Sequence, residues 1–405
     1  MDLMPILSTL RRHKTAAGLI VLEIALTSAI VCNALHLISQ RLDTLNHDSG
    51  LPEAELVVLS VRGTGGSANP DELTRQDLAA LRQLPGVKSA AVMNQVIYGN
   101  NSNNTDARRV ADKNGPRFIG AMYVGGEQSL DTLGLKLVAG RDFKPEEYLP
   151  SSVVDEQSDP KIGQVIINRT MAEKMYPGES PLGQPFYGYG DEPSTVIGVV
   201  ERLTHPYPGK AQRDDGYSML FPIRPSFRGG NYLVRVEPAQ REAVLKAATA
   251  AIERIDASRI VTEGKTLSEM RAGYYAQDRA MVWLMGGVIV ALLVVTAFGI
   301  VGLASFWVQQ RTRMIGTRRA MGATRGQILR YFQLENFLLS SLGIALGMAG
   351  AFGLSLVLMA SYEMPRLPLH YLPIGALVLW GLGQLAVLAP ARRAAALPPV
   401  QALRS

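Results

Sequence analysis

The sequence predicts an α+β membrane protein. It has four transmembrane helices, one plus three, with a large extracytoplasmic α+β domain on helical stalks. Three observations predict this. Four apolar runs are each long enough to cross a bilayer, which takes about 20 residues per helix. Basic residues gather in the short segments flanking those runs. The 240 residues between the first two runs alternate strand-like and helix-like patterns.

Composition fits that mixture. The chain has 405 residues, 47% hydrophobic and 19% charged, with a mean hydropathy of +0.09. Intrinsic disorder, which needs low hydrophobicity and high net charge, is excluded. The single cysteine, Cys32, excludes an intrachain disulfide framework and multi-cysteine metal sites. Cys32 lies in an apolar run and reads as a small membrane-buried residue, with an interchain disulfide as the alternative.

The elements follow in order. Residues 1–15 form a short segment with Arg11, Arg12 and Lys14. Span one, 16–40, holds one charge, Glu23, and is too long for a signal-peptide core, so it reads as a retained anchor. Residues 41–280 are too many for a linker and must fold. Span two, 281–308, is uncharged. A basic loop, 309–327, precedes span three, 328–360, which carries Arg330 and Glu335 near its start. A short loop, 361–370, leads to span four, 371–390, opened by Pro373, and to the tail, 391–405. The N-terminal segment, 309–330 and the tail together hold twelve Lys and Arg against one acid, Asp2; residues 41–280 hold 28 basic and 31 acidic residues. Lys and Arg favour the cytoplasmic side. Both termini and the 309–327 loop are therefore expected in the cytoplasm, with 41–280 and 361–370 outside. The net charge of +6 is thus a topology signal, and no nucleic-acid partner is expected.

Within 41–280, Val- and Ile-rich runs predict strands at Glu55–Val61, Ala90–Ile97, Gln164–Asn168, Thr195–Val200 and Tyr232–Val236. Helical spacing predicts helices at Pro70–Leu84, Arg169–Met175 and Ala239–Ile255. Ile38–Leu51 and Leu267–Ala280 read as stalk helices that continue spans one and two outward. Gly99–Asn104 and His205–Gly216 read as polar loops.

No catalytic constellation emerges. The histidines His13, His36, His47, His205 and His370 are scattered, and His205, in a proline-rich loop, reads as solvated. The pairs Asp214-Asp215 and Glu146-Glu147 read as solvated loop acids. Neither a Gly-x-Ser-x-Gly elbow nor a Gly-x4-Gly-Lys-Ser/Thr phosphate loop occurs. The expectation is a non-enzymatic subunit without metal or cofactor, with any ATP bound by a partner chain. Glu23 and Glu335 are functional candidates because a carboxylate within a span is expensive. The alternatives are interfacial snorkelling or a pair between Glu335 and Arg330. Gly343-x3-Gly347 predicts close helix packing, within the chain or between chains.

The loop carries the most information. Arg311-Thr312-Arg313-Met314-Ile315-Gly316-Thr317-Arg318-Arg319-Ala320-Met321-Gly322-Ala323 resembles the R-T-R-E-I-G-x-R-R-A-x-G-A signature of the FtsX-like/MacB-like permeases, the membrane subunits of type VII ABC transporters. Met314 departs from the family's Glu. Further resemblance lies in Leu133-Gly134-Leu135 with Ala139-Gly140-Arg141-Asp142-Phe143, in Ile166–Gly183, and in the tail from Pro390 to Arg404. Glu335 is similar to an acidic position at the start of the family's third span.

The resemblance implies a mechanism. Two permeases, identical or paralogous, sit above an ABC ATPase dimer that docks on residues 311–323. ATP binding draws the permeases together, and the stalks pass the motion to the periplasmic domains. A periplasmic adaptor, an outer-membrane channel and membrane lipid complete the implied partners, in a bacterial inner membrane. With about fifteen residues before span one, the ATPase is expected to be a separate chain. The leading reading is a mechanotransmission permease driving efflux of a peptide, antibiotic or other amphiphile. The alternatives are a lipoprotein-releasing permease and a non-transporting FtsX-like regulator of a cell-wall hydrolase.

Overall fold

The computed structural model describes residues 14–63, 69–157, 159–209, 216–362 and 368–396. Arg11, Arg12, His13, the Asp214-Asp215 pair and the tail from residue 397, with Arg404, lie outside the described residues. The chain divides into two compact units, one formed by residues up to Leu45 together with those from Gln277 on, the other by Asn46–Ala276.

Helix α1, Lys14–Leu45, opens the helical unit. The α+β unit then runs through β1 (Leu56–Gly63), α2 (Pro70–Arg82), β2 (Val87–Met93), β3 (Asn104–Ala107), β4 (Phe118–Val124), α3 (Ser129–Leu133), β5 (Leu137–Gly140), β6 (Leu149–Pro150), α4 (Ser151–Asp155) and β7 (Gln164–Asn168). It continues with α5 (Arg169–Met175), β8 (Pro185–Phe186), β9 (Ser194–Val200), β10 (Ser218–Phe221), β11 (Ile223–Arg224), β12 (Asn231–Val236), α6 (Arg241–Ile255), β13 (Arg259–Thr266) and α7 (Leu267–Tyr274). The helical unit resumes with α8 (Ala276–Gln310), α9 (Thr312–Ala320), α10 (Arg325–Tyr362) and α11 (Tyr371–Ala396).

Two sheets organise the α+β unit. The first has the order β13-β1-β12-β2, with every neighbour antiparallel. Helix α2 joins β1 to β2 and α6 joins β12 to β13, which is the split βαβ arrangement of ferredoxin-like folds. Residues between Met93 and Asn231 are an insertion into that arrangement. They build the second, mixed sheet, in the order β3-β4-β10-β7-β9-β5 with β8 on β9. Local signals set the helix starts. Asn69 caps α2 by accepting from the Glu72 N–H at 3.0 Å, with Pro70 in the first turn and Arg82 in the last. Asn168 caps α5 in the same way, and Thr266 and Glu269 form a capping box on α7. Leu78, Leu81, Val244, Ala248 and Ile252 of α2 and α6 pack on Val57, Leu59, Val92 and Val234 of the first sheet. Beneath them Arg259 and Asp77, both fully buried, make paired hydrogen bonds of 2.6 and 2.9 Å.

Some elements differ from the sequence expectation. Strand β2 begins at Val87 and ends at Met93 instead of covering Ala90–Ile97, because Asn94 turns its side chain onto the Val124 N–H. The first expected stalk stops at Leu45 instead of Leu51. Asp48 accepts the Gly50 N–H at 3.0 Å, a local turn that competes with the helix, and Gly50 has φ +72°. The second, Leu267–Ala280, breaks at Tyr275, whose buried ring packs on Tyr98 and Tyr274. Helix α8 exceeds 281–308, α10 begins ahead of residue 328, and α11 runs six residues into the expected tail.

In the helical unit α10 lies against α1 at two glycines. A Cβ at Gly343 would come within 2.8 Å of Ile24 Cβ, and one at Gly347 within 2.5 Å of Ser28 Cβ. The Gly343-x3-Gly347 pair therefore packs within the chain. Thr27 and Thr296 join α1 to α8 through a buried 2.8 Å hydroxyl contact, and Arg41 is ion-paired with Asp278. The rest of α8 is largely uncovered: Trp283 is 80% and Phe298 72% exposed. Apolar surface of that extent suits lipid or a second helical unit.

Candidate functional site

The signature stretch folds as α9 with a designed stop and an immediate restart. Gly322 has φ +95°, the left-handed region that favours glycine. Its N–H donates to the Arg319 carbonyl at 3.1 Å, and the Ala323 N–H donates to the Arg318 carbonyl at 3.0 Å. These two bonds form a Schellman stop. Thr324 and Gln327 then form a reciprocal box, with the Gln327 Oε1 accepting the Thr324 N–H at 2.9 Å and the Thr324 hydroxyl accepting the Gln327 N–H at 3.3 Å. Gly-Ala-Thr-Arg-Gly-Gln thus ends α9 and starts α10.

Three arginines of the signature turn inward. Arg311 donates through Nη1 to both Glu335 oxygens, at 3.0 and 2.8 Å, and lies over the Trp307 ring at 5.5 Å. Arg311 is 7% exposed and Glu335 1%. Arg318 lies over the Tyr331 ring at 5.0 Å, and Arg319 Nη1 donates to the Ala395 carbonyl of α11. Ile315 is buried among Ile328, Phe332, Ala391 and Ala394, and Gly316 is also buried. The opposite side of the helix, Arg313, Met314, Thr317, Ala320 and Met321, is exposed; Met321 is 75% accessible. Thr312 is half-buried and returns its hydroxyl to the Gln309 carbonyl at 2.9 Å.

Glu335 therefore pairs with Arg311, and Arg330, the alternative partner weighed from sequence, is exposed. Five residues along a helix is about 140° of rotation, so Arg330 and Glu335 do not share a face. Glu23 stands apart from this site. Its half-buried carboxylate lies against Gly299 of α8, where there is no room for a Cβ. The sequence reading missed Trp307, Tyr331 and Ala395 as partners of the signature. The aromatic residues carry no local signal for that role, and Ala395 acts only through its carbonyl.

The α+β unit holds two further features. Glu53 accepts from the Tyr98 hydroxyl at 2.8 Å and from Arg271 Nη1 at 2.9 Å, while Arg271 Nη2 donates to the His47 carbonyl at 2.8 Å. Burial first, then the Glu53 carboxylate, pushes the Tyr98 phenol well above its ordinary pKa. This cluster ties the segments by which the chain enters and leaves the unit. An open cleft of about 530 Å³ is lined by Asp71, Asn94, Met122, Tyr189, Ile223 and Arg228. His205 is buried and not solvated as expected: Nδ1 accepts the Tyr207 N–H at 3.0 Å, and Nε2 lies 3.0 Å from Asn104 Oδ1. Among the described residues no three His, Cys, Asp or Glu side chains converge as metal ligands would.

Comparison with known proteins gives two family matches. Residues 19–254 match the MacB-like periplasmic core domain, and residues 286–399 match the FtsX-like permease C-terminal region. The ABC transporter permease YknZ of Bacillus subtilis is 24% identical over 345 residues, 84% of this chain and 80% of that protein. The macrolide export ATP-binding/permease protein MacB of Neisseria gonorrhoeae is 27% identical over 303 residues, 70% of this chain and 43% of that protein. The pyoverdine export ATP-binding/permease protein PvdT of Pseudomonas putida is 28% identical over 360 residues, 82% of this chain and 48% of that protein. The chain spans under half the length of the MacB and PvdT relatives.

Proposed function

The chain belongs to the FtsX-like permeases that carry a MacB-like periplasmic core domain, and on that premise we propose that it is the permease subunit of an ABC transporter. An ATPase docks on residues 311–323, and its cycle drives a conformational change in the α+β domain. The carrying observation is the buried Arg311–Glu335 pair, which joins the start of α9 to α10. A push on α9 then has a stiff path into a membrane-spanning helix. The Glu53–Tyr98–Arg271 cluster supports the reading at the other end, because it makes the two segments entering and leaving the α+β domain move as one.

The cargo is an amphiphile, a peptide or antibiotic among the candidates, taken from the outer face. The mixed apolar and polar lining of the 530 Å³ cleft suits such a molecule. Two relatives are named as exporters of a macrolide and of pyoverdine. The protein sits in the cytoplasmic membrane with α9 and both termini on the cytoplasmic side. It works beside a second permease, identical or paralogous, and hands its cargo to an adaptor and outer-membrane channel. Residues 1–405 contain no Gly-x4-Gly-Lys-Ser/Thr phosphate loop, so the hydrolysing site lies elsewhere.

The test is purification from native membrane in mild detergent, with every bound chain identified by mass spectrometry. A P-loop ATPase beside this chain is the expected result. Recovery alone, or with only a periplasmic hydrolase, overturns the proposal.

A further inference from the structure

We infer that α9 has two faces with separate duties: Arg311, Arg318 and Arg319 fasten it to the helical unit, and Met314, Thr317 and Met321 with Arg313 touch the ATPase. This inference rests on the docking reading above and names the chemistry of the surface that is read.

Residues 309–327 hold five arginines and no acid, which by composition alone suggests a cationic docking surface. The structure removes three of them from that surface. Arg311 is spent on Glu335, Arg318 on the Tyr331 ring and Arg319 on the Ala395 carbonyl. What remains outward is different in kind. At 3.6 residues per turn, positions 313, 314, 317, 320 and 321 fall on one arc of about 120°. That arc presents two methionine side chains, a threonine methyl, an alanine and one guanidinium. Methionine is unbranched and adaptable, and it recurs at surfaces that take up a partner's irregular apolar slot.

The matching surface on the ATPase is therefore an apolar slot. A lipid surface is the other candidate occupant. A helix lying on lipid is favoured by a broad apolar face with cations on the polar side. Here the apolar arc holds only two large side chains, and Thr317 interrupts it.

The experiment uses the full-length permease in nanodiscs with its co-purified ATPase. Met314→Asp with Met321→Asp is expected to lower ATPase recovery at least tenfold. Amide exchange of 312–320 and the melting temperature should stay unchanged. Met314→Leu with Met321→Leu should hold recovery within twofold. A benzophenone attached at Met321→Cys should crosslink the ATPase, whereas one at Arg318→Cys should not; Cys32 is fully buried and supplies the unlabelled background. The crosslink decides the matter if the aspartate variant itself displaces α9.

Crosslinking from residue 318 but not 321 overturns the inference and leaves the permease reading standing. So does retained recovery in the aspartate variant with faster exchange of 312–320, which would put the face on lipid. Absence of any ATPase from the unmodified preparation overturns both.

Discussion

Removing Glu335 should release α9 from the membrane-spanning bundle. Glu335 and Arg311 are nearly excluded from solvent, with side chains 2% and 8% exposed, and are joined by bonds of 2.8 and 3.0 Å. Glu335→Ala strands the guanidinium of Arg311 in that environment. Breaking a buried pair by deleting one partner costs about 3–5 kcal/mol, because the remaining charge is uncompensated. At about 1.4 kcal/mol per tenfold, the lower figure shifts the docking equilibrium of α9 roughly 100-fold. Hydrogen exchange by mass spectrometry on peptides covering 312–320 reads that shift directly. Amides there should exchange at least about 100-fold faster in Glu335→Ala, with α1 and the α+β unit unchanged. Replacing both partners, Arg311→Met with Glu335→Met, should recover most of the protection, since a buried pair exchanged for apolar side chains is often neutral. Unchanged exchange in the single variant, or a double variant worse than the single, refutes the reasoning.

Two further outcomes follow from other parts of the molecule. Gly347→Leu should lower the melting temperature of the detergent-solubilised protein, with a cost of about 1–3 kcal/mol for forcing α10 off α1, whereas Gly350→Ala, where a Cβ meets nothing within 4 Å and alanine favours the helix, should not lower it. The Glu269 carboxyl is held below its ordinary pKa, first by the Thr266 N–H and then by the Thr266 hydroxyl. Its contribution is present above about pH 4.3 and lost as pH falls through its lowered folded value, so the stability gap between wild type and Glu269→Gln, under about 1 kcal/mol for an exposed cap, should narrow as the solution is acidified; a gap that does not narrow with falling pH counts against the cap.

Much of the architecture is legible in the sequence because its signals are local. The spans show as uninterrupted apolar runs, and β7, β9 and β12 show as Val- and Ile-rich segments. The α+β membrane architecture and the permease resemblance need nothing longer in range. Strands β4 and β10, Phe118–Val124 and Ser218–Phe221, lack alternation because both faces are partly covered. Strand β13, Arg259–Thr266, is polar along most of its length, being an edge strand. The insertion between β2 and β12 is invisible because β1 pairs with a strand more than 170 residues away, as Leu56 does with Arg235. The partner of Glu335 fails for the same reason. Proximity in sequence favours Arg330, and helix geometry turns it away.

The two-faced helix changes what the signature match means. In the pattern R-T-R-E-I-G-x-R-R-A-x-G-A, the unspecified positions fall on Thr317 and Met321, and the departure falls on Met314. All three are on the exposed arc. Of the specified positions, Arg311, Ile315, Gly316, Arg318, Arg319 and Gly322 pair with, pack on or terminate against this chain's own structure, whereas 313, 314 and 320 are specified and exposed. The resemblance is thus in part a record of how the loop is held. On the docking inference, 314, 317 and 321 are contact positions at which this chain departs from the signature or the signature specifies nothing. A glutamate restored at position 314 should therefore leave the fold of α9 intact and alter which ATPase it accepts.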